Sequence, residues 1–258
     1  MLEWLFGRRK QLLKQEITAE EKSLLERAFW QAPHLTAPQR EQLIRWVRVF
    51  ISEKTWEGCN GVEITQSMQW SIAATAGMMV LAYPDWYFDK TATILVHPRP
   101  YRVRVDSAAV SNNPILGGEF HRAGETIYRG PVVLNWHDIQ AAVASHNQGH
   151  HLVIHEFAHQ LDMINGPAAD GLPPLPGNVN EDSWRSQMRA EYEVARDMVG
   201  QGHNILMDDY GLTHESEFFA VASELYFQLP HELREYHPNV FKLLKQFYVI
   251  DMALTLGD

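Results

Sequence analysis

The segment His151-Leu152-Val153-Ile154-His155-Glu156-Phe157-Ala158-His159-Gln160-Leu161-Asp162 decides how the rest of the chain is read. It carries H-E-x-x-H at His155, Glu156 and His159, set in an apolar run that keeps the segment helical and buried. At 3.6 residues per turn, positions four apart lie one above the other, so both imidazoles can converge on one metal ion. Glu156 sits beside that line. It can reach a water on the metal without displacing it, as a general base must. The competing reading is a pair of satisfied core histidines beside a half-exposed acid. A chance H-E-x-x-H in the middle of an apolar helix is rare, and the metal reading is preferred.

Two imidazoles do not complete a catalytic zinc site, which takes three protein ligands and leaves a fourth position for water. The third must come from later in the chain, and the stretch Asp209 to Glu224 offers the carboxylates Glu215, Glu217 and Glu224. Thr213 is a good N-cap, which places Glu215 in a first turn where an acid meets the helix dipole without any metal. Glu217 and Glu224 are seven apart and share a helix face, and an acid buried beside Phe218 and Phe219 needs a partner. Spacing leaves the choice between them open. Asp162, three residues after His159, lies on the histidine face. It is read as an acceptor for an imidazole N–H, fixing the tautomer that faces the metal, in preference to a surface acid at the helix end. His151, a turn before His155, reads as a first-turn polar residue.

Outward from this helix, the first fifty residues read as two amphipathic helices. Each opens on a capping-box pattern, Thr18 to Glu21 and Thr36 to Gln39. A third helix, rich in Ala and Met, spans about Thr65 to Val80. Short β-type runs follow at Trp86–Phe88, Thr93–Val96, Tyr101–Val105, Thr126–Tyr128 and Pro131–Leu134. Pro131 cannot donate to a ladder, so its strand is expected at a sheet edge. Helices are expected over His137–His146, His150–Ile164, Asp182–Val199, Glu215–Leu229 and Val240–Leu254. Between the second and third of these lies a Pro- and Gly-rich loop, Asn165 to Asn180, a candidate lid. Strands followed by helices, without regular alternation, indicate an α+β fold. The chain is read as one domain over 1–258, with N-terminal helices and sheet to about 136 and a helical lobe carrying the metal site from about 137.

Composition narrows the function. Of 258 residues, 22 are Lys or Arg and 32 are Asp or Glu, a formal charge of −10, which argues against direct nucleic-acid binding. A small basic cluster, Arg8-Arg9-Lys10, follows Leu2, Trp4, Leu5 and Phe6 in the wrong order for a secretory signal. It is read as a flexible or surface-docked N-terminus. No run approaches the ~20 apolar residues of a membrane span. A single cysteine, Cys59, allows no internal disulfide, so the cytoplasm is the expected address.

His155-Glu156-Phe157-Ala158-His159 with Asp162, then Tyr210 and Glu217-Phe218-Phe219-Ala220, resembles the gluzincin metallopeptidases of the lethal-factor toxin type. Their motifs are H-E-F-x-H-x-x-D and Y-x-x-x-N-x-x-E-F-F-A. The chain as a whole resembles the bacterial Mlc titration factor A family. The resemblance implies a zincin-like fold with an edge strand over the active helix, pairing with an extended substrate. It also implies Zn²⁺ held by His155, His159 and Glu217, with Tyr210 stabilising the oxyanion or donating a proton, and aminopeptidase-like action on short peptides. A further implication is binding to the transcriptional repressor Mlc, drawing it off DNA and so regulating glucose-transport expression. A zincin that keeps the fold and has lost catalysis is the alternative. One position departs from the toxin pattern: His214 stands where that motif has Asn, which makes it a rival ligand.

Overall fold

Three threonines start three of the helices that carry the N-terminal half. Thr18 and Thr36 close full capping boxes with Glu21 and Gln39, opening α2 (Ala19–Ala28) and α3 (Ala37–Glu53). Thr65 accepts the Met68 N–H and opens α4 (Gln66–Met79). The computed structural model describes residues 2–104, 119–122, 125–126, 128–144 and 148–257. Before these helices stands α1 (Leu2–Lys14), which docks on α3. Its Arg9 lies 2.7 Å from Glu53 and 2.8 Å from Asp89, with the guanidinium 4.2 Å over the Tyr87 ring. Arg48 of α3 donates to the Leu12 carbonyl at 2.7 Å. The basic cluster therefore anchors the N-terminal helix through Arg9.

The four-stranded sheet runs in the order β1 (Thr55–Gly58), β2 (Thr93–His97), β6 (Val132–Asn135), β5 (Glu125–Thr126). The first three strands are parallel, and the two-residue β5 pairs antiparallel to β6. A separate hairpin-like pair joins β3 (Tyr101–Arg104) and β4 (Glu119–Arg122). The strand opened by Pro131 is thus internal, not an edge. Its ladder begins at Val132, one residue past the proline, so the missing N–H falls outside the pairing. All four of its residues are buried, as expected of a strand flanked on both sides. The edges are β5 and the mostly exposed β1, which the sequence pattern did not reveal. The link β1–α4–β2 is a parallel crossover through a helix, a local β-α-β unit within a mixed helical and strand architecture. Trp86–Phe88 is not a strand. Its aromatic rings fill the core instead, Tyr87 stacking on Trp46 at 5.6 Å and Phe88 meeting Phe157 at 4.7 Å.

From β6 the chain enters α5 (Trp136–Ala144) and then α6 (Leu152–Asp162), the helix of the quoted segment. After the Asn165–Asn180 connection come α7 (Glu181–Gly200), a 3₁₀ turn at Asp209–Leu212, and α8 (Glu215–Gln228). Pro230 opens α9 (Pro230–Tyr236), and Pro238 opens α10 (Pro238–Tyr248). The single helix expected over Val240–Leu254 is divided, because Val249 turns left-handed (φ 60°) before α11 (Met252–Leu256). One apolar cluster runs from α2 through α4, the sheet and α6 to α8 and α10. The back of α6 belongs to it: Phe157 meets Phe50 of α3 at 5.9 Å. Among the described residues no helix is long and apolar enough to cross a membrane.

Candidate metal centre

Helix α6 begins without a side-chain cap of its own. His151 lies in extended backbone and its ring closes nothing. The exposed helix start is met from α8, where Glu224 Oε2 accepts the His151 N–H at 2.5 Å and stands 2.7 Å from His150 Nδ1. The other oxygen, Oε1, is 2.7 Å from His155 Nδ1. A carboxylate only accepts, so both rings present N–H to it. For His155 this leaves Nε2 as the atom turned toward His159.

There the three expected ligands come together. The Nε2 atoms of His155 and His159 are 3.3 Å apart, and Glu217 Oε2 stands 3.1 Å from the first and 3.3 Å from the second. The ligand atoms of all three lie within 4.8 Å of one another. Among the described residues, Glu217 Oε2 is buried with no polar contact beyond these two rings. Two imidazole nitrogens and one carboxylate oxygen are the donor set of a catalytic zinc site with a position left for water. The residues present fit such an ion.

The electrostatics favour a cation at this point. Burial alone would strip charge from His155, but Glu217 and Glu224, which accept from its ring N–H groups, outweigh it and hold the ring's pKa well above the ordinary value. Burial likewise pushes Glu217 up, and the contacts with His155 and His159 bring it down to about 2. Glu224 is held at about 2 by His150 and His155 against complete burial. Two ionised carboxylates flank one ring, and buried charge of that sign calls for positive charge between them.

Helix α8 runs antiparallel to α6, which sets the two acids that spacing left open at different levels of α6. Glu217 and Glu224 share a face but stand two turns apart, about 10 Å along the axis. Glu217 therefore meets His159 and His155, and Glu224 meets the start of α6. Sequence reasoning weighed Glu224 as a ligand and missed it as the acceptor for an imidazole N–H. The available signal was a second acid on the face of α8 that meets the histidine-rich start of α6.

The remaining sequence-predicted residues fall around this centre. Glu156 is buried on α6 and adds to the negative field at His155. Tyr210, half-exposed on the 3₁₀ turn, places its ring 5.8 Å from that of His155. Asp162 is fully buried, so it is not a surface acid, and Oδ2 accepts the Gly171 N–H at 2.8 Å. Among the described residues its other oxygen has no hydrogen-bond partner, and burial pushes the carboxyl up to about 7. The acceptor that His155 does have is Glu224. His214, not Thr213, caps α8: its Nδ1 accepts the Ser216 N–H at 3.2 Å. Among the described residues, the group placed to hold a metal is His155, His159 and Glu217, without His214. A cap is also what an Asn supplies at this position in the toxin motif.

Part of the Asn165–Asn180 connection is a strut. Gly171 has φ +77°, and a Cβ there would stand 2.7 Å from the Glu215 carbonyl oxygen. With its N–H on Asp162 and Leu172 buried, the segment wedges between the end of α6 and the start of α8. That geometry is the opposite of a free lid at this point.

Residues 4–249 match the family model of the glucose-regulated metallo-peptidase M90. The chain is 32% identical over 225 residues to Mlc titration factor A of Serratia proteamaculans, covering 84% of this chain and 82% of that one. It is 32% identical over 218 residues to Mlc titration factor A of Edwardsiella ictaluri, covering 81% and 80%. An uncharacterised Synechocystis protein is 30% identical over 257 residues, 98% of this chain and 91% of the other. A match over nearly the whole length, around a histidine and glutamate triad able to hold a metal, makes this chain a member of the glucose-regulated metallo-peptidase M90 family.

Proposed function

We propose that the chain is a zinc-dependent peptidase of the gluzincin type, with aminopeptidase-like action on short peptides in the cytoplasm. In this reading His155, His159 and Glu217 hold the ion. The observation that carries it is the convergence of two Nε2 atoms and one carboxylate oxygen, with Glu224 turning the first ring so that Nε2 faces inward. Zinc bound there supplies a Lewis acid and a water acidified toward neutral pH. Glu156 takes the proton of the attacking water and passes it to the leaving amine, a task that typically contributes 10²–10⁴-fold. The Tyr210 hydroxyl donates to the oxygen on which charge develops. Asp162 braces the site from behind, through Gly171 and the start of α8.

Elemental analysis of the purified protein is expected to return one zinc per chain. Glu156→Gln should retain that zinc and lose peptide hydrolysis by the same 10²–10⁴-fold. Cleavage at the parental rate by this variant would remove Glu156 from the mechanism.

The relatives' name supports a second role, binding of the repressor Mlc. The two roles are separable, because a cleft and an outer surface can act independently. Mixing Glu156→Gln with the repressor tests this by complex formation. Retained binding keeps the regulatory role apart from catalysis, whereas loss of binding ties the repressor to the active cleft. A protein with no zinc that still bound the repressor would leave only a vestigial zincin site.

A further inference from the structure

Glu224 is a fully buried carboxylate beside the metal centre, and both of its oxygens are engaged. Oε2 serves the His151 N–H and His150 Nδ1, and Oε1 serves His155 Nδ1. Among the described residues no lysine or arginine pairs with it, and its donors come from the two residues before α6 and from its first turn. A carboxylate that served only to cap this helix would need Oε2 alone. The second oxygen reaches one turn further, to a ring whose far nitrogen faces Glu217 at 3.1 Å.

We infer that Glu224, braced by the largely exposed His150, is the positioning residue that fixes the tautomer and ring angle of His155, and thereby sets how tightly the triad holds its metal. The inference rests on reading His155 as a zinc ligand. Its logic follows from which atoms can only donate. The His151 backbone N–H cannot change roles, so whatever stands at position 224 must turn an acceptor toward it. In the parent with metal bound, both carboxylate oxygens accept, and His155 keeps its proton on Nδ1 and directs its Nε2 lone pair to the metal. In Glu224→Gln the amide carbonyl must take the Oε2 position, which leaves the NH₂ group facing His155 Nδ1. That ring then turns its lone pair to the amide and carries its proton on Nε2, where a metal would bind. The substitution is nearly isosteric and keeps the cap on α6, yet it inverts the tautomer of the ligand.

The test uses the full chain with three proteins: parent, Glu224→Gln and His150→Gln. Zinc affinity is measured by chelator competition, folding by thermal melting of the metal-free proteins, and ring protonation by long-range ¹H–¹⁵N spectra of the histidines. Glu224→Gln is expected to bind zinc 10–100-fold more weakly, the usual effect of removing an outer partner of a metal-bound histidine. It is also expected to lose the Nδ1–H signal of His155. His150→Gln, altered at an exposed side chain, should fold as the parent does and weaken zinc by a smaller factor. Parental affinity and a retained Nδ1–H in Glu224→Gln would reduce Glu224 to a helix clamp. Should Glu224→Gln fail to fold, His150→Gln decides: a weaker hold on zinc supports the positioning role, and parental affinity overturns it. A parent that takes up no zinc would refute the metal reading, while the Nδ1–H readout on metal-free protein still tests the positioning of His155.

Discussion

Where α3 meets α4, the contact is apolar and aromatic. Gly77 of α4 presents bare backbone to Trp46 and Leu43 of α3, and Trp46 in turn stacks on Phe50 of its own helix at 4.8 Å. Where α6 meets α8, the contact is made by His155, Glu217, Glu224 and the backbone at His151. Both pairs are buried. The first draws its stability from area removed from water and close packing. In the second, ionised groups are removed from water and compensated by one another, which contributes little net stability but fixes geometry closely. The two are joined through Phe157, whose ring packs on Phe50 and Phe88 while the histidines lie on the other face of α6. The apolar pair thus acts as the rigid backing on which the charged pair is held.

The comparison is broken most directly by one truncation in each pair. Phe50→Ala is expected to cost about 3–5 kcal/mol of folding stability. The folded fraction should still take up zinc with near-parental affinity. Glu217→Ala should do the reverse, losing zinc by more than the ~100-fold that an outer partner accounts for, with a much smaller change in the melting of the metal-free protein. Denaturant unfolding and chelator competition on both variants check the pair of outcomes. If Glu217→Ala retained stoichiometric zinc while Glu224→Ala lost it, the two acids would have to exchange roles.

A smaller effect separates the regions by pH. Burial disfavours the charge of Asp162 and pushes its carboxyl up to about 7 in the folded protein, from an ordinary value of 3.8. Its raised pKa gives a relative stabilisation that is complete below about pH 4 and is lost as pH rises through 7. A shift of that size corresponds to at most about 4 kcal/mol. Asp162→Asn keeps an acceptor for the Gly171 N–H and removes the charge. The variant should match the parent near pH 4 and exceed it in stability near pH 8, by unfolding free energy measured across that range. An equal pH slope in both proteins would show that Asp162 is not held neutral.

The smallest effect is expected in the apolar pair. A Cβ at Gly77 would lie 2.6 Å from Trp46 Cε3 and 2.7 Å from Leu43 Cδ1. Gly77→Ala should therefore cost about 1–3 kcal/mol through overpacking, measured as a lowered denaturation midpoint, and leave metal uptake intact. A neutral or stabilising outcome would mean that Trp46 and Leu43 can shift to make room.

Much of this was legible along the chain because it depends on short-range periodicity. The capping boxes at Thr18 and Thr36 and the helix through His155 and His159 are written in residues three or four apart. Strand placement was less legible. Trp86–Phe88 has the composition of a strand, but its rings pack inward from an irregular segment. Pro131 suggested an edge, yet it lies just outside the ladder of an internal strand. Val249 breaks a helix through a left-handed turn that a β-branched residue seldom takes, so no composition rule announced it.

The amino-acid sequence by itself determined the two histidines, the adjacent acid and their common helix face, since a helix of fixed pitch converts a four-residue interval into a shared direction. It also supplied two later acids of equal standing. Only the tertiary structure separated them, by running α8 antiparallel to α6 and setting Glu217 level with the imidazole Nε2 atoms while Glu224 reached the far nitrogen of His155. Pairing between helices depends on contacts some sixty to seventy residues apart in the chain, and no local pattern encodes the level at which two helices meet.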